Sequence, residues 1–221
     1  MKSTSDRFAK QRKRMLMQLR KSGIRDPVVL DAFSAVPREA FVSIELKDRA
    51  YDDTPLPIGS QQTISQPYIV ALMTEALQLK PTDRVLEVGT GSGYAAAILA
   101  EIADEVVTVE RFQSLADSAQ TRLHKLGYNN VNVIRGDGTQ GWLREAPYDA
   151  IIVAAGGPEL PQPLVDQLKI GGRLVMPVGD QREMQILIRA TKHADGEIKQ
   201  EKLACVRFVP LVGLSGWKDE V

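Results

Sequence analysis

The run Val85-Leu86-Glu87-Val88-Gly89-Thr90-Gly91-Ser92-Gly93-Tyr94 constrains this chain more than any other stretch, because it joins an apolar strand to a glycine turn and then to a helix. Val85, Leu86 and Val88 favour extended backbone, whereas Gly89, Gly91 and Gly93 strip the turn of side chains that would hold a ligand away from it. Tyr94 to Ala103 then reads as helix. Strand, glycine turn and helix together form the socket on which parallel α/β sheets hold nucleosides. The spacing is Gly-x-Gly-x-Gly, not the Gly-x-Gly-x-x-Gly of a dinucleotide turn, and Glu87 stands just before the first glycine. A carboxylate there receives hydrogen bonds from an ammonium group and repels a pyrophosphate. The pattern favours S-adenosylmethionine over NAD.

The chain has 221 residues, 43% hydrophobic and 25% charged, enough for one substantial core. We expect a single domain overall, with residues 1–80 forming a helical N-terminal extension and substrate loop and residues 81–221 forming the cofactor-binding core. The formal net charge is +0, so nothing in the overall balance calls for nucleic acid or a membrane surface as partner. Cys205 is the lone cysteine and has no internal disulfide partner; its place in the strand-like run Leu203-Ala204-Cys205-Val206 suggests a small buried apolar residue. With no signal-peptide pattern and no long apolar span, the expected compartment is the cytoplasm; a monomer that holds no metal is expected besides.

Residues up to Arg25 read as a basic amphipathic helix with an apolar stripe of Met15, Leu16 and Leu19 and a solvated outer face. Asp26-Pro27 supplies an N-cap and a first-turn proline for a second helix that Pro37 ends, and Arg38 to Lys47 continues the helical region. Tyr51 to Pro67, rich in Pro, Gly, Thr, Ser and Gln, reads as a long irregular stretch. Beyond Thr82, strands are expected over Arg84–Val88, Val106–Glu110, Val131–Arg135, Ala150–Ala154, Gly172–Pro177, Gln185–Ala190 and Leu203–Phe208. Helices are expected over Tyr94–Ala103, Phe112–Leu126 and Pro161–Leu168. This βα alternation predicts a doubly wound, mostly parallel α/β sheet of Rossmann-like type, with the last strands forming an antiparallel edge around Gly196.

Ligands of such sheets bind beyond the carboxyl ends of the strands. Glu87, Glu110 and Asp137 sit at successive strand tips. Glu110 follows the glycine turn by about 20 residues, where a carboxylate accepts from ribose hydroxyls, and Asp137 is then placed to face the adenine amino group. After the fourth strand comes Val153-Ala154-Ala155-Gly156-Gly157, with neither an Asn-Pro-Pro-Tyr-like motif for amino-group methylation nor a Pro-Cys pair for attack on a pyrimidine carbon. This leaves room for an acceptor that needs no activation. A carboxylate, with a reference pKa of about 4, meets that requirement.

With these residues in view the chain resembles the protein-L-isoaspartate (D-aspartate) O-methyltransferase family. The resemblance is carried by Tyr51 to Gly59 running into Gln62-Thr63-Ile64-Ser65-Gln66-Pro67, by Val85 to Tyr94, by Gly136-Asp137-Gly138-Thr139-Gln140-Gly141-Trp142 and the residues on to Ile151, and by Val206-Arg207-Phe208-Val209-Pro210-Leu211-Val212. Gln61 departs from it, since many bacterial relatives carry glycine there. The residues after Leu214 fall outside the motifs.

The resemblance implies transfer of the methyl group of S-adenosylmethionine to the α-carboxylate of an L-isoaspartyl residue. The ester then closes to a succinimide, and S-adenosylhomocysteine is the other product. It implies that Ser65 orients the acceptor carboxylate and that Gln62, Thr63, Ile64, Glu87, Gly89, Gly91, Gly93, Glu110, Asp137 and Gly138 hold the cofactor. Substrate contacts fall to Asp53, Ala154, Ala155, Val209, Pro210 and Leu211, with Val209 and Leu211 pairing through their main chains to a peptide. A Ser65 that merely caps the helix starting at Pro67 is the bland alternative. The rival functions are a methyltransferase acting on RNA or a small metabolite, and a nucleoside-binding regulatory domain without catalysis.

Overall fold

A computed structural model describes residues 4–180 and 183–218. Helix α1 (Thr4–Lys21) lays Met15 and Leu19 into the core, and its Arg12 turns inward to donate to Tyr51 Oη at 2.9 Å and to the Ser34 carbonyl at 2.9 Å. Helix α2 (Pro27–Ala35) starts as the Asp-Pro pair dictates, with the Asp26 carboxylate accepting from Val28 N–H at 2.8 Å. The helical region after Pro37 consists only of 3-10 turns, Arg38–Ala40 and Ile44–Arg49.

The stretch expected to be irregular contains a small antiparallel hairpin, β1 (Leu56–Gly59) with β2 (Gln62–Ile64). Leu56 stands opposite Ile64, and both are buried. The turn residues Ser60 and Gln61 adopt φ of 49° and 56°, the left-handed pair that a tight hairpin turn requires and that Asn-Gly normally fills. Without that dipeptide the sequence gives no hairpin signal. A left-handed non-glycine residue costs about 1–2 kcal/mol, partly offset on replacement by the about 0.4–1 kcal/mol of freedom that glycine adds to the unfolded chain. Gln61 is exposed, so its side chain contributes little packing. Gln61→Gly is therefore expected to raise Tm by about 2 °C in differential scanning calorimetry, and a lowered Tm would show that the turn is not strained.

Helix α3 (Pro67–Leu77) leads into the main sheet, whose elements follow as β3 (Arg84–Val88), α4 (Tyr94–Ala100), β4 (Glu105–Glu110), α5 (Gln113–Lys125), β5 (Val131–Arg135), β6 (Tyr148–Val153), α6 (Gln162–Asp166), β7 (Leu168–Val178), β8 (Gln185–Lys192) and β9 (Ile198–Val206). The 7-stranded sheet has the order β5-β4-β3-β6-β7-β8-β9. Strands β5, β4, β3, β6 and β7 are parallel, and β8 and β9 add an antiparallel edge that turns at Gly196. Strand order reverses between β3 and β6, which opens a crevice at their carboxyl ends.

Three local expectations need correction. Strand β7 begins at Leu168 instead of Gly172, because a register shift between Tyr148 and Ala150 of its partner β6 lets it continue through Gly171, at φ 77°. Helix α6 is correspondingly short. Cys205 is exposed, because β9 is an edge strand and the pleat turns Val206 inward and its neighbour out.

Alternation along the strands feeds two apolar layers. Val85, Val106 and Ala150 pack with Phe33, Leu77 and Leu99 on one face, while Leu86, Val107 and Ile151 pack with Leu164 and Leu174 on the other. The N-terminal helices share the first layer with the sheet, which fixes the β1–β2 hairpin above the crevice.

Candidate active site

The crevice is lined by the tips of β3, β4 and β6, by the hairpin, and by the segment after β9. Glu87 is its most unusual group. Only 1% exposed, it accepts through Oε2 from Thr108 Oγ1 at 2.5 Å, and that hydroxyl lies 2.6 Å from Thr90 Oγ1. Its Oε1 has no partner among the described residues. Burial pushes the carboxyl up to about 8 against the opposing pull of the Thr108 hydrogen bond, and the charge of Glu110 adds to the rise. A buried acceptor left open in a cleft is a site for a cationic donor, because leaving it unmet is costly.

Glu110 also lines the crevice and is 5% exposed. Its Oε2 accepts from Gly91 N–H at 2.9 Å and its Oε1 from Phe112 N–H at 3.0 Å, so the carboxylate pins the glycine turn to the start of α5. Gly91, at φ 52°, has Ile58 of the hairpin 3.2 Å from where a Cβ would stand. Gly138 is tighter still: a Cβ there would come within 2.4 Å of Val88 Cγ1. Gly89, Gly91 and Gly138 all line the crevice, as do Gln62, Thr63 and Ile64. Gly93 does not. It is the N-cap residue of α4, and its missing side chain lets Leu123 of α5 approach to 3.2 Å of the would-be Cβ.

Asp137 also departs from expectation. Its carboxylate accepts from Thr139 N–H at 2.9 Å and Thr139 Oγ1 at 2.7 Å, and through the other oxygen from Leu214 N–H at 2.8 Å. It caps the turn after β5 and ties down the C-terminal segment; it does not line the crevice. Short reach explains this: an aspartate followed by a tight turn finds its own backbone first.

Ser65 lies where the crevice meets a second groove, lined among others by Ile69, Ala154, Phe208 and Val209. It does not cap α3. The N-cap is Gln66, and Tyr68 N–H is taken at 2.9 Å by Asp53, whose other oxygen accepts from Gln66 Nε2 at 2.9 Å. Asp53 thus fixes the loop from behind and does not line either cavity.

Ala154, Ala155, Val209, Pro210 and Leu211 all border the crevice. Of the main-chain groups expected to pair with a peptide, the Val209 carbonyl and the N–H and carbonyl of Leu211 already have partners. Gly156 N–H donates to the Val209 carbonyl at 2.8 Å, Leu211 N–H donates to Gly156 at 2.8 Å, and Trp217 N–H donates to Leu211 at 2.8 Å. Trp217 Nε1–H adds a bond to the Gly156 carbonyl at 2.9 Å, so the C-terminal segment is strapped to the loop after β6. Residues after Leu214 carried no motif, and only the fold shows this contact.

Sequence reasoning missed Phe112, which lines the crevice beside Glu110, and Arg38, buried behind Ser65. An aromatic just after an acidic strand tip was a usable signal for Phe112. An arginine in a helical region gave none.

An acid with an open oxygen, a second acid bracing a glycine turn and a bare backbone at Gly138 fit S-adenosylmethionine: an ammonium for Glu87, and a nucleoside between the turn and Phe112. Fold and site together define an S-adenosylmethionine-dependent methyltransferase. The family model for protein-L-isoaspartate(D-aspartate) O-methyltransferase matches residues 10–216, and the chain belongs to that family. It is 60% identical over 211 residues to protein-L-isoaspartate O-methyltransferase 1 of Rhodopseudomonas palustris strain HaA2, covering 95% of this chain and 86% of the relative. To the protein-L-isoaspartate O-methyltransferase of Methanoculleus marisnigri it is 53% identical over 218 residues, covering 98% of each. Among solved structures, one protein-L-isoaspartate O-methyltransferase superposes with a TM-score of 0.84 at 32% identity, over 93% of this chain and 67% of the other. A Plasmodium falciparum structure, described as an enzyme of this type in complex with S-adenosyl-L-homocysteine, gives 0.78 at 28% identity over 89% and 96%.

Proposed function

We propose that this chain is a protein repair enzyme, methylating the α-carboxylate of L-isoaspartyl residues in damaged proteins and peptides so that the ester can close to a succinimide and return to aspartate. The observation that carries the reading is the place of Ser65, on the rim shared by the cofactor crevice and a groove floored by Ala154. The two cavities share Thr63, Ser65, Ala154 and Val209, so an acceptor lying in the groove reaches the crevice beside this serine. Small residues at Ala154 and Ala155 leave room for a peptide backbone of any sequence.

When bound, S-adenosylmethionine supplies a methyl group already activated by its sulfonium. Glu87 holds the ammonium end, Glu110 and the glycine turn it braces receive the ribose, and Gly138 gives the base a bare backbone. Ile64, Val70 and Leu211 exclude water from the crevice, which strengthens the electrostatic contacts inside it. Ser65 donates a hydrogen bond to one oxygen of the acceptor carboxylate and turns the other toward the crevice. Positioning of this kind supplies the rate, since the acceptor is ionised at neutral pH and no general base is required. No described helix is long and apolar enough to cross a membrane. A monomer working on soluble proteins in the cytoplasm completes the reading.

Two peptides that differ only in a normal or an isoaspartyl linkage test it. With methyl-labelled cofactor, the isoaspartyl peptide is expected to take up alkali-labile label and its partner little or none. Equal labelling would remove the repair assignment, and base-stable label would point to methylation of nitrogen.

A further inference from the structure

Arg38 is 0% exposed and is named by neither the motifs nor the crevice. Its Nε–H donates to the Ala50 carbonyl at 2.7 Å and its Nη2–H to the Ser65 carbonyl at 2.8 Å, while the guanidinium carbon lies 4.6 Å from the centre of the Tyr94 ring. Nη1 has no hydrogen-bond partner among the described residues. The cation is met at close range by carbonyls and by Tyr94, and burial lowers its pKa against the opposing pull of Tyr94 and of the Asp53 charge. Burying a charge on such terms is unfavourable.

What the guanidinium holds accounts for its presence. One arm reaches the backbone of the residue whose hydroxyl stands on the crevice rim. Its flat face rests on Tyr94, the first residue of the helix that the glycine turn opens. Arg38 therefore joins the acceptor side of the site to the cofactor side. Asp53 grips the same loop one step further along, through Gln66 and Tyr68. Ser65 is held on both flanks while its hydroxyl is left for a ligand.

We propose that Arg38 is a positioning residue for methyl transfer, fixing the Ser65 backbone and through it the direction of the hydroxyl that aims the acceptor carboxylate. The proposal rests on the orienting role given to Ser65 above.

A double-mutant cycle tests it, using Arg38→Lys, Ser65→Ala and the pair, with single-turnover rates on an isoaspartyl peptide and cofactor affinity by calorimetry. Lysine keeps the charge but cannot direct two fixed bonds at once. Arg38→Lys is expected to slow turnover about tenfold with cofactor affinity and Tm little changed, and to have almost no further effect once Ser65 is alanine. An undiminished tenfold loss in the Ser65→Ala background would overturn the proposal, because Arg38 would then act on something else. Ser65→Ala alone at wild-type rate would instead sink the orienting role itself. Arg38→Met, which removes the buried charge together with its donors, repeats the cycle. If both replacements unfold the protein or abolish cofactor binding, Arg38 is a structural residue and the proposal fails.

Discussion

Glu87→Gln is expected to weaken binding of S-adenosylhomocysteine by about 100-fold and to abolish a proton release that accompanies binding to the wild type. In the ligand-free protein, burial pushes the Glu87 carboxyl up to about 8, so at pH 6–7 it is largely protonated. An ammonium at the open Oε1 favours the ionised form and draws the pKa down, so binding in this window must expel the proton. The ligand's own amine stays charged there, below its range of about 7.7–8.0, and the proton counted belongs to the protein. Affinity should rise with pH up to about 8 and fall above it, as the ligand's amine loses its charge. The amide that replaces the carboxylate keeps the shape and offers an acceptor but no charge; a charge-assisted hydrogen bond of about 1.5–3 kcal/mol is lost, which gives the predicted factor. Calorimetry in buffers of different ionisation enthalpy reads both quantities. The ligand-free protein supplies a second check: because the folded pKa lies above the unfolded value near 4.5, the folded state binds the extra proton, and this residue's contribution to stability falls as pH rises from about 5 to 8. Wild type and Glu87→Gln should therefore differ in the pH slope of Tm. Equal slopes, or binding without proton release, would show that Glu87 is ionised before the ligand arrives.

The parts of the site legible in the sequence are those whose meaning is local. Glu87 and the glycines after it sit in one run, and the strand-turn-helix they predict is β3 and α4. The parallel order and the antiparallel edge follow from the spacing of apolar runs. Asp137 and Glu110 look alike in sequence, each an acid at a strand tip. They part company through distant partners: Glu110 braces the glycine turn, whereas Asp137 meets Leu214 across a separation of 77 residues. No local pattern reports a contact of that length. Arg38 was invisible for the same reason, since its value lies in Ala50, Ser65 and Tyr94. The hairpin escaped because its turn is built from Ser60 and Gln61, residues that seldom take left-handed φ. Its strands were too short to announce themselves by alternation.

Ser65→Ala is expected to reduce turnover on an isoaspartyl peptide by about 10- to 100-fold while leaving cofactor affinity and thermal stability close to wild type. The fold makes this a cleaner test than the sequence alone allowed. A serine just before Gln66-Pro67 invites the role of helix cap, whose loss would lower Tm. Here that role is filled by Asp53, which takes Tyr68 N–H, and the N-cap position belongs to Gln66. Alanine therefore removes an orienting donor without exposing the helix start, and the Ser65 carbonyl that Arg38 holds is unchanged. Loss of one hydrogen bond to a charged acceptor, about 1.5–3 kcal/mol of transition-state stabilisation, sets the size of the effect. Saturating cofactor keeps the titration of Glu87 out of the measurement. Under that condition an acceptor that needs no base gives wild type and Ser65→Ala the same pH dependence across the neutral range, differing only in height. A new ionisation in the mutant's profile would mean that Ser65 takes part in proton transfer, and the orienting role would have to be given up.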